Sequence, residues 1–337
     1  MKEIARVTKL PASGRRPKAI LNRDEEQEKS ASQLKNMLRR SEDVERGKRA
    51  TNIRIRKISP KDLEPCSVIL YQSFTELAGR YGLPSDFPSM DYASNSMKYL
   101  LQHKSVYGAV AEAHGRAVGF SFVYERDSIR AIGPLCVSPV AQGTGVGREL
   151  VKAMLHRCKG SVGVRLVTDT FNTRSLPLYI SMGFTARDTT ILMRGETKRH
   201  RSQGYVVRPL SHRDIDACTS LCRKVHGIER TNELSESIAT LNPYVAVKGG
   251  NVVAYTTTLT RWHRGHSVAR NDEDMGALIN GVSEMEGKKL AFLMPLSQSC
   301  LFAHCLEWGF EVVKPMTLMS MGMYKNPGGT YMPSVLY

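Results

Sequence analysis

No apolar run in the 337-residue chain comes near the roughly 20 residues that a membrane-spanning helix needs. Nor does the chain carry the n-region, h-region and cleavage-site pattern of a secretory signal. Its seven cysteines lack metal-ligand spacing. Cys218 and Cys222 are separated by three residues and Cys300 and Cys305 by four, with no second pair or nearby histidine to complete a site. That pattern fits reduced thiols, a cytoplasmic chain and no bound metal. Acidic residues are also in short supply, 32 against 48 lysines and arginines, leaving a formal charge of +16. Such an excess calls for an anionic partner.

The excess is uneven. Residues 1–51 carry +6, residues 52–200 carry +8 and residues 201–337 only +2. Residues 1–51 mix both charge signs with few large apolar side chains, as a disordered extension with one solvated helix would. Seven basic residues against one acidic in residues 1–23 leave a nuclear or organellar address open. There is no helix-turn-helix, zinc-finger or aromatic RNA motif, so nucleic acid is not the expected partner. The remaining length suits two domains.

From Asn52 the pattern is regular. Asn52–Ile58 alternates as a strand, and Ser59-Pro60-Lys61-Asp62 starts a helix. A second helix is expected over Tyr92–Gln102, after a Gly/Pro-rich loop at Gly79–Pro88. Strands follow at Val106–Glu112, Ala117–Glu125 and Arg130–Val137, the first two joined by a tight His114-Gly115-Arg116 turn. Next come a helix at Gly147–Cys158, a strand at Val164–Thr168, a helix at Arg174–Met182 and two short strands to Met193. A meander feeding a βαβ unit is a mixed α/β layer architecture of the α+β class.

The second half restarts this order. Arg56-Lys57-Ile58-Ser59-Pro60-Lys61-Asp62 matches Arg208-Pro209-Leu210-Ser211-His212-Arg213-Asp214 at an offset of 152 residues. Met182-Gly183-Phe184 matches Trp308-Gly309-Phe310 at an offset of 126. A shared start and a shared end indicate a tandem duplication. The expected organisation is an extension (1–51), a first domain (52–200) and a shorter copy (201–337).

The informative segment is Val137-Ser138-Pro139-Val140-Ala141-Gln142-Gly143-Thr144-Gly145-Val146-Gly147-Arg148. A strand delivers alternating glycines into a helix whose amides point outward, a ready anion site. Arg148 in the first turn is unfavourable for the helix dipole unless an anion lies beside it. A dinucleotide-binding turn is the rival, since Asp169 follows Gly147 by 22 residues. Three antiparallel strands before the loop argue against it, because that fold puts its loop after the first strand.

Gln142-x-x-Gly145-x-Gly147, with the preceding Leu135-x-Val137, resembles the pyrophosphate loop of the GNAT acyltransferases. Asn172-x-x-Ser175-x-x-Leu178-Tyr179-x-x-x-Gly183-Phe184 is similar to that family's second motif. The resemblance implies tandem GNAT folds, each a mixed, mostly antiparallel sheet flanked by helices. It implies acetyl-CoA as cosubstrate and an amine acceptor, with direct attack in a ternary complex. Leu135, Cys136 and Val137 would hold the acetyl and pantetheine groups. Gln142, Gly143, Thr144, Gly145, Val146, Gly147 and Arg148 would hold the pyrophosphate. Asn172 would bridge cofactor and backbone, or simply cap its helix, and Tyr179 would be the general acid. Pro134 cannot donate within a sheet, so its strand should be splayed there. Cys136, with no histidine partner in sequence, reads as an inert thiol.

The general base is a gap. Asp169 is one candidate, deprotonation through water is another, and Glu112, Glu125 and Asp127 are more remote ones. Tyr81, Asp86 and Phe87 are expected near the acceptor. In the second copy, a strand at Thr256–Arg261 is followed by Asp272-Glu273-Asp274 where the glycines would be. Gln298 and Cys305 replace Asn172 and Tyr179, so this copy should bind no cofactor. Pro333–Tyr337 is apolar enough to dock. A non-catalytic acyl-CoA sensor is the competing function.

Overall fold

The computed structural model describes residues 53–197 and 202–335. The reading of residues 1–51 falls outside those residues. Strand β1 (Arg54–Lys57) runs into a helix start built by ionic contacts. The amide and hydroxyl of Ser59 both donate to Asp62 at 2.9 Å. Arg56 donates to the same carboxylate at 2.7 and 2.8 Å and holds its pKa down to about 2. Helices α1 (Leu63–Arg80) and α2 (Met90–Gln102) follow. Strands β2 (Val106–Ala113) and β3 (Arg116–Tyr124) meet through His114 and Gly115, at φ 50° and 73°, a two-residue hairpin turn. Strand β4 (Ile129–Val137), helix α3 (Val146–Arg157), strand β5 (Gly163–Asp169) and helix α4 (Ser175–Ser181) complete the expected order. The segment expected as two short strands is one 11-residue strand, β6 (Thr185–Gly195).

The second half repeats these elements. They are β7 (Tyr205–Pro209), α5 (Ile215–His226), α6 (Thr231–Thr240), β8 (Tyr244–Lys248) and β9 (Asn251–Thr256). Then come β10 (Ser267–Ala269), α7 (Asp272–Glu286), β11 (Leu290–Pro295), α8 (Ser299–Glu307) and β12 (Glu311–Gly322). The ionic start recurs, with Arg208 on Asp214 at 2.7 Å and the amide of Ser211 on Asp214 at 2.9 Å. The helix ends match too. Phe184 N–H donates to the Tyr179 carbonyl, and Phe310 N–H to the Cys305 carbonyl, both at 3.0 Å. A last strand, β13 (Thr330–Met332), has no counterpart in the first half. The strand expected at Thr256–Arg261 ends at Thr256, because Thr257, Thr258 and Leu259 turn away into a long loop.

The halves are interlocked. One sheet has the order β1-β2-β3-β4-β5-β12-β6-β11, the other β13-β10-β9-β8-β7. Strand β12 of the second half therefore lies between β5 and β6 of the first, antiparallel to both. Strand β6 in turn pairs with β11. The order of elements restarts at β7, yet β11 and β12 of the second half extend the first half's sheet, while the five-stranded sheet is built of second-half strands alone. Asp127, in the β3–β4 turn, accepts from the Asn232 and Glu233 amides at 3.1 and 3.3 Å and so caps α6 of the other half. Asp127→Ala should cost about 1 kcal/mol, the worth of a helix cap. Denaturant unfolding would check this, and an unchanged midpoint would exclude the cap.

Helices α1 and α2 cover one face of the first half's sheet, with Leu70, Met97, Phe120 and Phe122 fully buried. Helix α3 covers the other through Val151, Met154 and Leu155. Among the described residues no helix is long and apolar enough to cross a membrane.

Candidate active site

The site begins where two parallel strands part. Strands β4 and β5 pair at Ile129–Gly163, Arg130–Val164 and Ala131–Arg165, and no further. Pro134 lies just beyond, as its missing N–H requires. From Ile132 to Val137, β4 keeps β3 on one side and faces a cavity of about 950 Å³ on the other. Leu135 and Val137 turn their side chains toward α3, and Cys136 turns the opposite way into the α1–α2 core. What Cys136 can offer the cavity is its backbone. Burial pushes its thiol pKa far up, as an inert thiol requires.

The glycine loop closes one end of this cavity. Gly143 and Gly145 have φ of 83° and 96°, and Gly145 is the N-cap of α3. The amides of Gly143, Thr144, Gly145, Val146 and Gly147 donate to no acceptor among the described residues. Such a row of outward amides at a helix start is a cradle for an anion. A Cβ on Gly147 would stand 3.3 Å from Leu178, so the glycine lets α3 pack on α4. Gln142 fixes the loop, its Nε2 donating to the Val137 carbonyl at 3.1 Å and its Oε1 accepting from Arg174. Thr144 donates to the Ala141 carbonyl at 2.7 Å. Arg148 reaches Ser181 at 3.0 Å. Arg174, which the sequence reading passed over, adds a second cation beside the amides.

Asn172 accepts from the Arg174 and Ser175 amides at 3.2 and 3.0 Å, the capping alternative of its two readings. Tyr179 is buried on α4 against Phe184 yet lines the cavity. Burial, with Cys136 nearby, raises its pKa far above the usual tyrosine range, so the hydroxyl keeps its proton.

The carboxylates considered as bases are all engaged. Glu112 is held by Arg56 at 2.7 Å, Glu125 by Arg157 at 2.8 Å, and Asp127 caps α6. Asp169 lines the cavity, but Lys314 of β12 stands 2.7 Å from it and 2.7 Å from Asp86. Asp169 is thus committed to an ion pair within the protein rather than turned free toward an acceptor. Tyr81 and Phe87 line the same cavity, packed on Phe171 and Phe74. Lys314 is invisible to a motif search, because strand exchange brings it to the first half. The same holds for Arg261, Trp262, His263 and Arg264, which close the far wall.

The equivalent groove of the second half is filled by the chain itself. β13 pairs with β10, where β4 of the first half begins to open. Gln298, at the Asn172 position, donates to the Tyr331 carbonyl at 2.6 Å and accepts its amide at 3.0 Å. The three acids sit in the first turn of α7, where they suit the helix dipole. Cys305 is buried at the Tyr179 position. The C-terminal residues dock as expected, with Ser334 fully buried and Val335 in the cavity wall. Leu336 and Tyr337 lie outside the described residues.

A splayed β4–β5 pair, an amide cradle at the next helix and a buried tyrosine beyond it frame one cavity. Residues 71–184 match the model of the acetyltransferase (GNAT) family. Over 79 residues the chain is 40% identical to mycothiol acetyltransferase of Thermomonospora curvata. The match covers 23% of this chain and 27% of that protein, about a quarter of its length. Among solved structures, the fold resembles a protein of Pyrococcus horikoshii at 15% identity (82% of this chain, 92% of that one, TM-score 0.63). It resembles a GCN5-related N-acetyltransferase of Sphaerobacter thermophilus at 15% identity (81% and 96%, TM-score 0.56). It also resembles a tandem GNAT protein from the clavulanic acid biosynthesis pathway at 13% identity (80% and 98%, TM-score 0.50). At such identities the likeness is one of fold.

Proposed function

We propose that the protein is an acetyl-CoA-dependent N-acetyltransferase with one working repeat, residues 52–200, and one degenerate repeat, residues 201–337. The observation that carries this reading is the row of five amides without acceptors, opening onto the gap between β4 and β5. A pyrophosphate fits that cradle, and the outer edge of β4 from Ile132 to Val137 suits an extended amide chain. Bound acetyl-CoA supplies an acyl group activated as a thioester. Arg148 and Arg174 add charge for the phosphates. Tyr179, kept protonated by burial, donates its proton to the leaving sulfur.

Turnover of acetyl-CoA with a panel of amines tests the reading. Binding without acetylation of any amine would favour the sensor. Tyr179→Phe should lower kcat about 100-fold while acetyl-CoA affinity changes little, the mark of a group acting in the transition state. An unaffected kcat would remove Tyr179 as the acid. The second groove is filled by β13, so acetyl-CoA should titrate calorimetrically to one equivalent per chain. Two equivalents would contradict the degenerate repeat.

A further inference from the structure

The repeats differ sharply in one hairpin. Residues 125–128 join β3 to β4, whereas residues 257–266 join β9 to β10. The longer connection reaches into the other repeat's cavity and presents Arg261, Trp262, His263 and Arg264 there. Its shape is fixed from within. Thr257 N–H donates to the His266 carbonyl at 2.9 Å, and its hydroxyl to the Arg264 carbonyl at 3.2 Å. The Arg264 and Gly265 amides both donate to the Arg261 carbonyl, at 2.8 and 2.9 Å. Ala291 N–H ties Leu259 to β11 at 2.7 Å. A Cβ on Gly265 would lie 2.2 Å from the Thr258 carbonyl oxygen, so the bend requires glycine there.

His263 is half-buried at the tip of this loop. Its ring meets Trp262 edge-on at 5.8 Å, and neither ring nitrogen bonds to a protein group among the described residues. The neighbours are committed. Lys314 lies 5.5 Å from the Trp262 ring centroid, and Arg264 lies 4.4 Å from that of Tyr99. Burial first, then Arg264 and Arg261, push the His263 pKa down to about 4, so the ring is neutral and can accept a proton. The carboxylates in the cavity wall are engaged, Glu76 with Arg80 and both Asp86 and Asp169 with Lys314. Among the described residues His263 is the only histidine in that wall.

We propose that His263, carried by the second repeat into the first repeat's cavity, is the general base of the acetyl transfer. The proposal rests on the transferase reading above. As the amine nitrogen bonds to the acetyl carbon, the carbon–sulfur bond breaks. The N–H proton passes to the free imidazole nitrogen, and the Tyr179 proton passes to the departing thiolate. Solvent then returns a proton from His263 to Tyr179. An N–H becomes strongly acidic as its nitrogen attacks, so a weakly basic imidazole suffices. The same two arginines disfavour an ammonium beside them and keep the acceptor amine neutral. On this proposal the second repeat lost its cofactor groove and kept a catalytic part.

The test uses the whole chain with the amine on which the wild-type protein is most active. His263→Asn and His263→Ala should keep the wild-type Tm and acetyl-CoA Kd. Their kcat should fall about 100-fold with KM for the amine changed less than threefold. Added imidazole should restore part of the His263→Ala rate and none of a Tyr179→Phe rate. A wild-type kcat in both variants, or a rise in KM alone, would overturn the proposal while leaving the transferase reading standing. A wild-type protein that acetylates no amine would overturn the transferase reading, and the proposal with it.

Discussion

Gly145→Val should abolish acetyl-CoA binding, weakening it by at least 100-fold, while leaving the fold intact. Gly145 holds φ at 96° as the N-cap of α3, a conformation that a β-branched residue adopts only with strain on the order of 1–3 kcal/mol. Relief of that strain rotates the peptide and turns the Gly145 and Val146 amides away from the cradle. The new side chain also stands where a phosphate must approach. Calorimetry gives the affinity and circular dichroism the fold. An unchanged Kd would mean that the loop binds no phosphate. Asn tolerates a left-handed conformation better, so Gly145→Asn should lose less affinity than Gly145→Val.

The same loop shows how far the sequence could be read. Glycines at 143 and 145 signal themselves, because a turn into a helix with positive φ leaves few alternatives. Pro134 likewise announced the splay, since a residue without an N–H cannot sit in a closed ladder. Periodicity placed the helices of the first half, and the Arg56–Asp62 and Arg208–Asp214 starts were visible as one pattern written twice. Long-range events were not legible. The exchange of β6 and β12 leaves each strand's local pattern unchanged, so nothing in Thr185–Gly195 tells which β5-like strand it will join. Nothing in the local pattern therefore sets Lys314 apart from other charged residues. The 257–266 loop was misread for a related reason. Its threonines favour strands, but Thr257 and Thr258, with Thr256 before them, bond side chain to loop backbone and end β9 at Thr256. Asp169 was read on its own element, and its charge partner came from 145 residues further along the chain.

Lys314→Met carries the largest expected loss of stability. Lys314 is 4% exposed and holds two carboxylates of the other half, Asp86 and Asp169, each at 2.7 Å. A bulge in β12 between Val312 and Lys314 accompanies this placement. Removing one partner of a buried ionic group leaves uncompensated charge, which costs about 3–5 kcal/mol. Here it leaves two like charges, and Tm should fall on the order of 10 °C. The pH dependence follows from the carboxylates. Burial already raises the Asp86 pKa above its ordinary value, and Asp169 pushes the same way. A group whose folded pKa is raised contributes stability that is fully present below its unfolded value, about 4, and is lost as pH rises through the folded value. Without the ammonium the Asp86 pKa rises further, so the variant should be more stable at pH 5 than at pH 8. Adding Asp86→Asn removes one of the facing charges and should recover part of the loss and flatten that slope. Thermal melting across this range decides the matter. A variant as stable as wild type at pH 8 would show that the ammonium does not hold the halves together.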